Sequence, residues 1–365
     1  VRLTTKIIHE AVRGRASDIH IEPMADRVIL RYRIDGVCHV RDNLPKRMQP
    51  ALLARMKLMA GVNIAERRIP QDGRIKMSID GSQVDFRVSC CPAYHGESVV
   101  LRILRPDSAR VGLTALGFEQ DHLDAFNKVI RRPNGIFLVT GPTGSGKTTT
   151  LYSALDVLNQ PSRKIITAED PVEYSFAGIN QCQVNEPIGL TFPSILRSML
   201  RQAPNVILIG EIRDREVADI AVQAALTGHL ILGTLHTNSA VGTISRLAEM
   251  EVAPFFTGSA LIGVVYQLLV RRLCTQCREP YQPSQKIAKA LDLDPGTRIH
   301  RAVGCRACDD AGYKGRLVLQ EVFENTPAVR ETIHAGAPDH EIERIALRDG
   351  MVPLFQDGLF KARDG

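Results

Sequence analysis

The 365-residue chain is 44% hydrophobic with a net charge of +6, enough to bury roughly three quarters of its unfolded surface in two or three domains. Its longest apolar run, SALIGVVYQLLV, is too short to span a bilayer and reads as a core helix. Eight cysteines, four of them in two tight pairs, argue against a secreted disulfide framework and for a metal site. The charge is uneven: residues 1–105 hold 19 Lys+Arg against 11 Asp+Glu, net +8, and the remaining 260 sum to −2. A basic first third fits nucleic acid, membrane headgroups, arginines aimed at phosphates, or simply a solvated face.

VRLTTKIIHEAVRG is not a signal peptide. The chain opens at Val1 and stops on FKARDG, which reads as a fragment of something longer. Residues 1–105 form an α+β pattern. SDIHIEP alternates, and RVILRYRIDGVCHVR alternates on both sides of Asp35-Gly36, a hairpin dipeptide. LPKRMQPALLARMKLMAG is helical, with Leu52, Leu53, Met56 and Met59 on one face and Gly61 as its stop. RIKMSIDGSQVDFRVS repeats the hairpin around Asp80-Gly81, and a linker is expected at 106–115.

From residue 116 apolar strands alternate with helices: GIFLVT, KIITA, NVILIG and LILGTL. DREVADIAVQAALTG between the last two places Val217, Ile220, Ala221, Ala224 and Ala225 on one helical face. That order predicts a mostly parallel sheet covered by helices, an α/β domain over 116–365. Ligands of such sheets bind beyond the carboxyl ends of the strands, so the candidate site residues are those that stand there.

After GIFLVT comes GPTGSGKT, a complete phosphate loop: Gly141, Pro142, Thr143, Gly144, Ser145, Gly146, Lys147 and Thr148, with Thr149 opening the helix behind it. Its backbone N–H groups and the helix N-terminus favour phosphate; Lys147 would reach the β- and γ-phosphates and Thr148 would hold Mg²⁺. Glu169 and Asp170 follow KIITA, with Glu173 a few residues on. NVILIG ends in Gly210 where many ATPases carry a metal-binding aspartate, so the first acid is Glu211. Glu211 is the expected base for the attacking water, with Glu169 or Glu173 supporting the metal's water shell or sharing the base role. His236 follows LILGTL as a candidate γ-phosphate sensor, and His229 is a weaker candidate beside Gly228.

A phosphate loop alone leaves transition-state charge under-neutralised. Arg87 in VDFRVS and Arg102 in SVVLRIL interrupt apolar strands and are candidates to complete the site; residue types alone do not separate them from Arg31, Arg33, Arg68 or Arg74. CTQC at 274–277 and CRAC at 305–308 supply Cys274, Cys277, Cys305 and Cys308, a four-thiolate zinc set with an inserted loop. All four positions are filled by protein, so the metal would hold a subdomain and do no chemistry. Cys38, Cys90, Cys91 and Cys182 read as ordinary core or loop residues.

Together these residues resemble the secretion-type ATPases of type II secretion and type IV pilus assembly. GPTGSGKTTTLYSAL resembles their Walker A, ITAEDPVEY their aspartate box, VILIGEIRD their Walker B and LTGHLILGTLHTN their histidine box. RRIPQDGRI and VDFRVS resemble their second N-terminal domain, and the CxxC pairs their zinc subdomain. The resemblance runs over 16–360 and implies a RecA-like ATPase domain behind a smaller, PAS-like α+β domain. It further implies a zinc subdomain near 271–318, a helical part at 319–365, and a homohexamer using ATP, Mg²⁺ and Zn²⁺. It carries the catalytic roles to Lys147, Glu173, Glu211, His236, Arg87 and Arg102, and adds Arg197 and Arg201 in LRSMLRQ to the ATP region. The implied partners are an inner-membrane platform protein and cytoplasm-facing assembly proteins, at the cytoplasmic side of the membrane.

AEDPVEY and AGINQ lean towards the pilus branch over the type II branch, and the CxxC pairs set the chain apart from the zinc-free retraction motors. A nucleic-acid translocase is the rival motor reading, opposed by the lack of an aromatic-rich basic stretch for base stacking. A nucleotide-binding scaffold that does not hydrolyse is the non-enzyme alternative.

Overall fold

A computed structural model describes residues 2–104, 112–294 and 296–364. The chain divides between residues 107 and 108 into two compact units. Of the expected linker, residues 106–111 lie outside the described part. Leu113–Leu116 is a short 3₁₀ turn whose leucines at 113 and 116 are buried in the second unit's core.

In the first unit α1 (Arg2–Arg13) precedes β1 (Asp18–Pro23), β2 (Arg27–Ile34) and β3 (Val37–Pro45). After α2 (Gln49–Ala60) come β4 (Gln71–Ile79), β5 (Ser82–Cys91) and β6 (Ser98–Leu104). The six strands form one antiparallel sheet in the order β3-β2-β1-β6-β5-β4. Both hairpin dipeptides take the left-handed turn conformation they were read for: φ is 48° and 89° at Asp35-Gly36, and 51° and 84° at Asp80-Gly81. Gly61 ends α2 with φ 71°. Alternate strand residues, among them Ile19, Ile21, Phe86, Val88, Val99 and Leu101, join Ile7, Ile8, Leu52 and Met56 of the helices in one core. The in-between residues therefore share the opposite face.

In the second unit α3 (Gln120–Ile130) leads to β7 (Gly135–Thr140), α4 (Lys147–Leu158), β8 (Ile165–Glu169) and β9 (Asn180–Gln183). Next come α5 (Phe192–Met199), β10 (Val206–Ile209), α6 (Arg215–Leu226), β11 (Leu230–Leu235), α7 (Gly242–Glu249) and α8 (Pro254–Ala260). The sheet order is β15-β12-β7-β11-β10-β8-β9 once β12 (Leu261–Leu273) and β15 (Tyr313–Glu324) are included. All neighbours run parallel except β12 and β15. Even and odd strand residues feed opposite layers: Ile136, Leu138, Ile207 and Ile209 pack on the α5–α6 side, while Phe137, Val139, Val206 and Leu208 pack on the α3–α4 side. The five residues read as one face of α6 are all buried.

SALIGVVYQLLV is not a core helix. The helical part stops at Ala260, and Leu261 onward forms β12, buried from Leu261 to Gln267 between β7 and β15. A strand covered on both faces is continuously apolar, the pattern it shares with a buried helix. The segment expected to be helical from 319 likewise begins in β15; helices α10 (Pro327–His334), α11 (Asp339–Arg348) and α12 (Leu354–Asp364) follow it, after α9 (Gln285–Ala290), β13 (Glu279–Tyr281) and β14 (Ile299–Arg301).

Candidate active site and cysteine centre

β7 ends at Thr140 and the phosphate loop turns directly into α4. The turn depends on glycine: φ is 139° at Gly141, 80° at Gly144 and 90° at Gly146. A Cβ on Gly141 would lie 2.3 Å from the Gln267 carbonyl oxygen. Lys147 bends back over the loop, its Nζ donating to the carbonyls of Gly141 (2.8 Å) and Pro142 (3.0 Å). Burial pulls the Lys147 ammonium below the usual lysine pKa, and the charge of Glu211 opposes that shift. Thr148 lies exposed in the first turn of α4, and Thr149 beside it is half-buried.

Three strand ends converge on this lysine. His236, one residue past β11, sets Nδ1 3.5 Å from Lys147 Nζ. Its Nε2 stands 3.4 Å from Glu211 Oε1. Glu211 Oε2 accepts a 2.7 Å hydrogen bond from Arg213 Nε. Lys147, His236 and Glu211 thus form one line of ionisable groups beside the phosphate loop. The backbone behind it is pinned by hydroxyls: Thr234 donates to Gly210 O (2.6 Å), and Thr140 donates to Leu235 O (3.1 Å) while accepting from Thr237 N (3.0 Å).

The missing aspartate has a steric reason. A Cβ on Gly210 would come within 3.1 Å of Ala168 O and 3.3 Å of the Glu169 Cα. Strands β8 and β10 approach so closely there that a side chain would need its neighbours to give by a few tenths of an ångström, and the first acid stands at Glu211.

Other expected site residues are placed differently. Glu169 is only 4% exposed and its carboxylate accepts from Tyr152, Thr167 and Gln181 (3.1 Å for the last), joining α4, β8 and β9. Burial, reinforced by that carboxylate, pushes the Tyr152 hydroxyl well above the ordinary tyrosine range. Glu169 is therefore engaged by three partners within the protein. Asp170 is exposed, and its charge joins those of Glu211 and Glu186 in raising the Arg213 pKa, the Glu211 hydrogen bond contributing most. Glu173 is half-buried, its N–H donating to the Tyr152 hydroxyl at 3.4 Å.

His229 precedes β11, at the amino end of a strand whose carboxyl end leads to His236; six residues of parallel strand put about 20 Å between them. Its Nδ1 lies 3.0 Å from Ala224 O at the end of α6, so it is engaged there, away from the phosphate loop. Arg197 pairs with Glu216 of α6 at 2.6 Å, and Arg201 donates to Arg197 O at 2.9 Å, so both are engaged with α5 and α6 rather than with the loop.

Within the first unit, register settles which arginines share a face. Arg74, Arg87, Arg102, Asp18 and Arg33 stand opposite one another across β4, β5, β6, β1 and β2. Asp18 receives Arg102 Nε at 3.0 Å and lies 3.5 Å from Arg33 Nε. The Arg102 side chain remains 63% exposed. Arg31 lies on the same face two residues along β2, whereas Arg68 is bound to Glu66 outside the sheet.

The four thiols at 274, 277, 305 and 308 have their sulfurs within 4.8 Å of one another. Three sulfur pairs lie at 3.8–3.9 Å, the edge of a tetrahedron with metal–sulfur bonds near 2.3 Å. Backbone N–H groups of Gly304, Cys305 and Gly312 point at the sulfurs of Cys277 and Cys308, a donor set suited to thiolates. The cluster fits zinc. It crowns the β12/β15 ribbon, with Cys274 N donating to Gly312 O. The inserted loop contains the Ser284-capped α9 and closes by pairing β13 with β14.

Two contributors went unnoticed in the sequence. Arg213, two residues after Glu211, fixes that carboxylate. Gln267, the lone amide in an apolar run, touches the phosphate loop from β12. No helix among the described residues is long and apolar enough to cross a membrane.

Comparison with known proteins agrees with this architecture. Residues 1–365 match the family described as Type II/IV secretion system protein. The whole chain is 47% identical to the type IV pilus assembly ATPase PilB of Myxococcus xanthus, spanning 66% of that protein. It is equally 47% identical to type II secretion system protein E of Pseudomonas aeruginosa, spanning 73% of it. Among solved structures, the pilus retraction motor PilT with bound ADP superposes with a TM-score of 0.63 at 27% identity, over 96% of this chain and 95% of that one. The ATPase DotB of Legionella pneumophila gives 0.72 at 21% identity, over 100% and 92%, a likeness of fold. The RecA-like unit, the smaller α+β unit before it and the tetracysteine cluster are those expected from the motifs, and the chain belongs to the Type II/IV secretion system protein family.

Proposed function

We propose that the chain is the ATP-hydrolysing part of a homohexameric motor that powers assembly of type IV pilin subunits at a bacterial inner membrane. It would act from the cytoplasmic side, held there by a platform protein and other assembly proteins, without gripping nucleic acid. The observation that carries this reading is the Lys147–His236–Glu211 line beside the phosphate loop.

Loop N–H groups and Lys147 bind the β- and γ-phosphates. Glu211, steadied by Arg213, orients and deprotonates the attacking water, while His236, touching both Lys147 and Glu211, registers the γ-phosphate. Thr148 offers magnesium a hydroxyl oxygen, the hard donor this ion prefers, and the bound ion supplies charge neutralisation on the phosphates. Glu173 supports the water shell. The four cysteines hold zinc as a structural element.

Arg87 and Arg102 complete the charge balance, a role supported by their direct cross-strand pairing and by the 63% exposure of the Arg102 side chain. Replacing either by Ala is expected to lower kcat by about 10³-fold or more while ATP affinity changes little. Loss of affinity alone, measured by ATP titration beside steady-state turnover, would make them ground-state contacts. A second reading, assembly of type II pseudopilins, rests on the equal 47% identity to both kinds of relative. Stimulation of turnover by a pilus platform protein, but not by its type II counterpart, decides for the first; the reverse decides for the second.

A further inference from the structure

We propose that Gln267 is a positioning residue that locks the Ser145–Gly146 peptide of the phosphate loop in its phosphate-binding orientation. Gln267 is 0% exposed and both ends of its amide are committed. Its Nε2 donates to Ser145 O at 2.7 Å, and its Oε1 accepts from Thr150 Oγ1 at 2.8 Å. Because the Ser145 carbonyl can only accept, the NH2 end of the amide faces the loop and its oxygen takes the Thr150 hydroxyl.

The consequence follows from peptide geometry. In a trans peptide the C=O and the following N–H point to opposite sides. Holding Ser145 O against β12 therefore aims the Gly146 N–H away from β12, to the side on which the loop's N–H groups gather around phosphate. Gly146 has φ 90° and no side chain to resist rotation of this peptide plane. A loop built on glycine needs an outside restraint, and β12 supplies one. A Cβ on Gly146 would lie 3.2 Å from Gln267 Nε2, a tight approach at a residue whose φ of 90° already favours glycine.

This inference rests on the nucleotide-binding reading of the loop. If the peptide flips in part of the population, affinity falls by the competent fraction and the chemical step is untouched in the molecules that bind. The test is ADP affinity by calorimetry, with KM and kcat for ATP, in wild type, Gln267→Leu and Gln267→Glu. Q267L should weaken ADP binding and raise KM by the same factor, about tenfold, with kcat within about threefold. Q267E should be weak at pH 8 and recover towards wild type as pH falls, because only the protonated carboxyl can donate to Ser145 O. A residue that merely fills the core would show neither the KM-against-kcat split nor that acid recovery.

Should Q267L fail to fold, Gln267→Met carries the test, since it keeps the length of the side chain but cannot donate to Ser145 O; ADP affinity should again fall, and unchanged affinity overturns the proposal. Wild type that binds ADP while Q267L binds it equally well also overturns it alone. Wild type that binds no ADP overturns the nucleotide reading and this inference together.

Discussion

Glu211→Gln is expected to lower turnover by about 10³-fold or more while leaving ATP binding within a few-fold of wild type. The carboxylate has no bond to the phosphate loop that binding would lose; its partners are Arg213 Nε at 2.7 Å and His236 Nε2 at 3.4 Å. The amide keeps one acceptor oxygen for Arg213 but cannot take a proton from water, so the loss falls on kcat. Turnover that survives the change would mean either that another acid is the base or that the chain is a binding scaffold. Radiolabelled phosphate release beside an equilibrium ATP-binding measurement separates these outcomes.

Removing a metal from the cysteine cluster is expected to have the second large effect. Structural zinc contributes on the order of 10 kcal/mol to the folding of small sites, and the segment it closes here has little else. Strands β13 and β14 are three residues each, and no residue of α9 is buried. Chelation, or Cys308→Ser, is expected to open the region 274–312 to protease while the core around β7, β10 and β11 stays resistant. The far end of the β12/β15 ribbon, where Arg271 pairs with Arg316 and lies 3.8 Å from the Tyr313 ring centre, loosens with it. An unchanged digestion pattern after zinc loss is verified by metal analysis contradicts this.

Much of the site was legible because it is local. Eight consecutive residues dictate the phosphate loop, and a parallel sheet brings its strand ends to one edge, so Lys147, Glu211 and His236 followed from strand direction alone. Direction also sets His229 apart: it lies at the other end of the same strand. Non-local features were less readable. Glu169 stands at a strand end as expected, yet Tyr152, Thr167 and Gln181 enclose it, and those residues come from three separate elements.

The arginines became distinguishable only through register, which sets Arg74, Arg87, Arg102 and Arg33 in one row across five strands and puts Arg68 elsewhere. β12 was misread because a doubly covered strand has no alternation to betray it. With it went Gln267, whose polar end has meaning only once β12 lies beside the loop.

The most direct measurement is steady-state ATP hydrolysis across a protein-concentration series, with and without single-stranded DNA at physiological salt. A motor that works as a ring gives a specific activity that climbs steeply with concentration and does not respond to DNA. Activity that is flat with concentration, or raised many-fold by DNA, contradicts the assembly-motor account.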